Sequence, residues 1–152
     1  MPFQIANMDN PGKQIEANPN HLALRPGTIE KVFTDCVLDL KHILVLDGID
    51  ILPDGFRVRC HDLRGQLPEI VVKNSGDTFQ DKERLANEVC KIIAIVRLRE
   101  RMVRLLPGCR FLPPTTIEGR AIVGLQAKPM TWLGEGKDFL AAYHELHRQV
   151  VG

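Results

Sequence analysis

One segment constrains this chain more than any other. Thr78-Phe79-Gln80-Asp81 resembles a capping box with Asp where Glu is preferred, and Pro107-Gly108 supplies a stop. The spacing predicts a helix from about Phe79 to Leu106, roughly 40 Å long at 1.5 Å per residue. Its middle, Val89 to Val96, is apolar almost all round. Such a helix must be covered on more than one side, either by two layers of its own domain or by its own sheet and a second subunit.

The remaining elements are read around that helix. Ile29, Val32, Phe33, Cys36, Val37 and Leu40 form one apolar stripe after Pro26-Gly27, which predicts an amphipathic helix from Thr28, as N-cap, to about Lys41. Between Ile43 and Val72 the signals are short strands and turns, with Asp47-Gly48, Pro53-Asp54-Gly55 and Arg64-Gly65 as the turns. Phe56, Val58 and Cys60 alternate with Arg57, Arg59 and His61, the pattern of a half-buried strand. Arg110 to Thr116, containing Pro113-Pro114, reads as a loop, and Ile117 to Leu125 as a strand weakened by Gly119 and Gly124. Lys137 to Val151 reads as a last amphipathic helix with Phe139, Leu140, Tyr143, Leu146, His147 and Val150 inward. The expected fold is α+β: a small antiparallel sheet packed on a long central helix, with flanking N- and C-terminal amphipathic helices.

Residues 1–27 follow neither the helix nor the strand period. Pro2, Pro11, Pro19 and Pro26 punctuate them, with asparagines between. They are expected to form an extended arm ahead of a single domain over 28–152.

With 44% apolar and 26% charged residues in 152, the composition is that of an ordinary folded chain. No apolar run approaches the roughly 18–20 residues of a membrane span. The run Ile92 to Val96 is bracketed by Lys91 and Arg97. The N-terminus lacks the basic-then-apolar order of a secretory signal, so a cytoplasmic location, or a virion for a viral protein, is the expectation. Cys36, Cys60, Cys90 and Cys109 have no metal-ligand spacing and sit among apolar neighbours, so they are expected to be buried free thiols.

Charge is unevenly distributed. Residues 1–81 carry 8 Lys+Arg and 12 Asp+Glu, whereas 82–152 carry 12 and 7. Opposed halves suit one half packed on the other, head-to-tail contact between subunits, or a basic face for nucleic acid. Arg97, Arg101 and Arg104 recur at i, i+4 and i+7 on one helical face, while Arg99 points elsewhere. The stripe could meet phosphate, remain solvated while complementing the helix C-terminus, or face the acidic half of a neighbour. Arg57 and Arg59 could extend a basic surface or line a solvated sheet face. With one Tyr and one Trp, the chain offers little for stacking single-stranded bases.

Motifs for chemistry are weak. Asp47, Asp50 and Asp54 fit no calcium loop. His144-Glu145-Leu146-His147 is one residue short of H-E-x-x-H. Ser75 is the only serine, and there is no G-x-S-x-G, Walker loop or dinucleotide fingerprint. Gly134-Glu135-Gly136-Lys137 lacks the rest of a phosphate loop and reads as a helix start. No family is recognised in these residues, and no cofactor, metal or catalytic residue is assigned. The sequence points to a non-enzymatic assembly subunit that oligomerises or docks in a larger complex, with a virion neck, tail or baseplate component as one setting. The alternative is a nucleic-acid-binding protein using Arg97, Arg101 and Arg104, with Arg57 and Arg59.

Overall fold

The computed structural model describes residues 23–152, so most of the arm expected over 1–27 lies outside the described residues. Helix α1 (Pro26–Cys36) starts three residues earlier than a Thr28 cap predicts. Arg25 is the capping position and offers no side-chain bond. Pro26 sets its own φ and has no N–H to satisfy, so a proline in the first turn can start the helix without a capping side chain. Leu24, Ile29, Phe33 and Val37 are buried, and a 3-10 turn follows at Leu38–Leu40.

Strands β1 (Val45–Leu52), β2 (Gly55–Asp62), β3 (Gly65–Gln66) and β4 (Ile70–Lys73) form the first antiparallel sheet. β1 flanks β2 on one side, and β3 and β4 flank it on the other. Phe56, Val58, Cys60, Ile70 and Val72 form its buried face. Asn74 N–H donates to the Asp54 carbonyl at 2.8 Å, in register with the pairs Phe56–Val72 and Val58–Ile70. Antiparallel ladders alternate bonded and non-bonded pairs. Val71 and Lys73 therefore turn their N–H and C=O groups away from β2, toward an edge that no strand covers among the described residues.

Helix α2 (Thr78–Leu105) is capped by Asp77, whose carboxylate accepts from the N–H groups of Phe79 at 3.0 Å and Gln80 at 3.2 Å. α1 and β4 contact it within the chain. Leu85, Val89, Ile92, Ile95, Val96, Leu98 and Met102 are buried along it, and Ile93 is partly covered. The apolar girth read from the sequence is thus occupied within the chain and gives no support to a second-subunit interface there.

A second antiparallel sheet follows, formed by the meander β5 (Arg110–Ile117), β6 (Arg120–Ala127) and β7 (Met130–Gly136). The expected loop at Arg110–Thr116 is therefore a strand. Pro113 and Pro114 fit because β5 is an edge strand whose register slips between Leu112 and Thr115. Glu118 and Gly119 turn the hairpin with φ of 52° and 77°, as a type I′ turn requires. Helix α3 (Phe139–Val151), capped by Asp138 accepting from Ala141 N–H at 2.8 Å, lies on β6, β7 and α2. A Cβ on Gly134 would sit 2.4 Å from the Ala142 carbonyl, and one on Gly136 would sit 2.7 Å from the Ala142 nitrogen. Those glycines belong to the end of β7, where they let α3 lie directly on the strand.

The fold is α+β, with two small antiparallel sheets and three α-helices, of which the long α2 is central. No helix among the described residues is long and apolar enough to cross a membrane.

Candidate interaction surfaces

Arg97, Arg101 and Arg104 are exposed on the solvent ridge of α2. Among the described residues, no carboxylate lies within 4.0 Å of any of them. Arg57 and Arg59 are elsewhere. They stand on the outer face of the first sheet, opposite the buried row that faces α2. Both bond the same carboxylate across the hairpin: Arg57 Nε to Asp50 at 3.1 Å, and Arg59 Nε to Asp50 at 2.9 Å. These bonds, Arg59's first and then Arg57's, hold the Asp50 carboxyl below its ordinary range. His61 Nδ1 lies 2.6 Å from Asp47 on the same face. The sheet face is therefore a ladder of opposed charges, and the five arginines do not join into one basic surface.

Asp47 and Asp50 are engaged with His61 and the arginines, while Glu145 binds Arg148. Among the described residues, no group of three or more His, Cys, Asp or Glu is placed to hold a metal ion. The cysteines depart from the expected uniform burial. Cys60 is buried, Cys36 and Cys109 are intermediate, and Cys90 is exposed on α2. Burial pushes the Cys60 thiol up to about 12.

The sequence reading missed a buried charged node. Arg99 is 1% exposed and Asp62 3%. The guanidinium lies 3.4 Å from Asp62 Oδ1, donates to the Gln66 carbonyl at 3.1 Å, and reaches the Tyr143 hydroxyl at 3.5 Å. It also stacks over Phe111 at 4.7 Å and Tyr143 at 5.9 Å. Burial raises the Asp62 carboxyl above its ordinary range, opposed by Arg99 and by the Arg64 N–H. Asp62 Oδ2 and Arg99 Nε have no hydrogen-bond partner among the described residues. The node draws together β2, β3, α2, β5 and α3. One signal for it was present: Asp62 follows Phe56, Val58 and Cys60 in the inward phase of β2.

Three cavities lie along the β4 side of the first sheet. A cavity of about 430 Å³ lies between Val71–Val72 and Arg84, Asn87, Glu88 and Lys91 of α2. A second, of about 410 Å³, runs between Gln66–Glu69 with Val71 and the wall formed by Pro114–Thr116 and Phe139. A third, of about 70 Å³, lies beneath Pro68–Ile70. All three border β4 or the residues leading into it, and Val71 is 56% exposed there. No known protein family matches the chain, and no curated protein matches it.

Proposed function

We propose that this chain is a non-enzymatic assembly subunit that docks through the open β4 edge of its first sheet. The observation that carries the reading is that edge: outward-turned backbone groups at Val71 and Lys73, an exposed Val71, and cavities on either side. An unpaired strand edge is a template for another strand, and proteins that do not use one usually blunt it. The opposed charge of the two halves adds support. The virion setting draws only on that asymmetry and on the irregular, proline-punctuated sequence of residues 1–27. The test is solution mass by light scattering over a concentration series at low and high salt. A mass above 17.1 kDa is expected. A monomer throughout would refute self-assembly.

A second reading has its own observation, the exposed ridge of Arg97, Arg101 and Arg104, which forms no ion pair within 4.0 Å among the described residues. It requires binding to duplex DNA that weakens steeply with salt and is lost when the three become alanine. Binding insensitive to that triple change would remove it.

A further inference from the structure

We propose that the occupant of the β4 edge is the β4 strand of a second copy of this chain, paired antiparallel about a two-fold axis at Val71. The inference rests on the assembly reading and names its partner and register.

The outward row of this edge is Glu69, Val71 and Lys73. All three are exposed; Val71 and Lys73 share the outer face of β4 by strand alternation, and Glu69 directly precedes the strand. A strand paired antiparallel with itself about Val71 sets Val71 opposite Val71 of the second copy. It also sets Glu69 opposite Lys73, and Lys73 opposite Glu69. Val71 and Lys73 turn their N–H and C=O groups to the edge, and with β4 extended by one residue to Glu69 the register makes about six main-chain bonds. The two opposite-charge pairs flank an apolar one, a self-complementary pattern suited to a two-fold interface. The charge order continues inward, because Glu69 is within electrostatic reach of Arg59 on β2. Arg59, Glu69 and the second copy's lysine then alternate in sign across the sheet.

The other described edges fit this role less well. β1 shifts register between Leu46 and Gly48, and its outer-face carboxylates Asp47 and Asp50 are already engaged by His61, Arg57 and Arg59 of β2. β5 carries Pro113, Pro114 and a register slip. On β7, the Leu133 carbonyl accepts from Gln149 of α3 at 2.9 Å. β4 has neither bulge nor internal proline, and a cavity of about 410 Å³ borders Glu69, on the side where the second copy's strand end would run.

The experiment is a dimerisation isotherm by sedimentation equilibrium on the full chain. It compares wild type, Glu69→Lys, Lys73→Glu and the double exchange Glu69→Lys/Lys73→Glu, with the fold of each checked by its thermal midpoint. Each single reversal replaces both opposite-charge pairs with like-charge pairs and should raise the dimer Kd by about tenfold or more. The double exchange recreates the pairing with signs swapped and should return Kd to within about threefold of wild type. An oligomer whose Kd ignores the single reversals, or is not restored by the double exchange, would overturn this register while leaving the assembly reading standing. A monomer at every concentration would overturn the register together with self-assembly.

Discussion

Replacing Arg99 with methionine tests what the buried node contributes. Methionine is long enough to occupy much of the same space, so the change is mainly one of charge and hydrogen bonding. It leaves the Asp62 carboxylate 3% exposed with one remaining donor, the Arg64 N–H at 2.8 Å. It also removes the donor to the Gln66 carbonyl and the cation over Phe111. Breaking one side of a buried ion pair costs about 3–5 kcal/mol, a large part of the roughly 5–15 kcal/mol that holds a domain of this size. The midpoint should fall on the order of 10 °C. Asp62→Leu made together with Arg99→Met removes both charges. That chain should recover to within about 1 kcal/mol of wild type, because paired burial roughly breaks even against apolar packing. Urea unfolding of wild type, both single variants and the double closes the cycle. An Arg99→Met cost below about 1 kcal/mol, or a double variant no more stable than that single one, would refute the node as an ion pair set in a dry interior.

Further outcomes follow from other parts of the fold. Asp62 is raised on folding, so its contribution is full below its unfolded value near 3.8 and is lost as pH rises through the folded one. The Asp62→Asn chain should therefore gain stability relative to wild type as pH rises from about 4, measured by urea midpoints across pH. Gly134→Ala puts a methyl against the Ala142 carbonyl and the Leu146 backbone, and should cost about 1–3 kcal/mol by thermal unfolding. Asp77→Ala removes the acceptor for two N–H groups of α2 and should cost about 1 kcal/mol. In the native chain a thiol reagent should modify Cys90 first and leave Cys60 unmodified until unfolding, as followed by mass spectrometry.

The three helices and most of the first sheet were legible because their apolar residues keep the helix or strand period where they meet the core, but Asp47-Gly48, read as a turn, is a register shift inside β1. β5 was hidden by Pro113-Pro114, which reads as a loop until the strand is known to be an edge. β7 was hidden because Gly134 and Gly136 stand at inward positions where α3 sits too close for a side chain, so no apolar alternation is left to detect. The arginine stripe on α2 was placed correctly, since helical spacing alone puts Arg97, Arg101 and Arg104 on one side. Neutralisation of Arg57 and Arg59 by Asp50 was not legible, because it depends on the register between β1 and β2. Arg99 and Asp62 were passed over because residue type argued against burial while position argued for it. The β4 edge emerged only once strand order was known.

The two sheets share no strand. Sheet one is complete by Lys73 and sheet two begins at Arg110, with α2 between them. Side chains around Arg99 bind residues from both sides of that divide: Asp62 and Gln66 before it, Phe111 and Tyr143 after it. This makes the guanidinium a coupling point for cooperativity. With it intact, the slowest-exchanging amides of β2 and β6 should report one common opening free energy, as a single foldon does. With it removed, the C-terminal meander and α3 should open locally at lower free energy than the first sheet, ahead of a global transition that stays single.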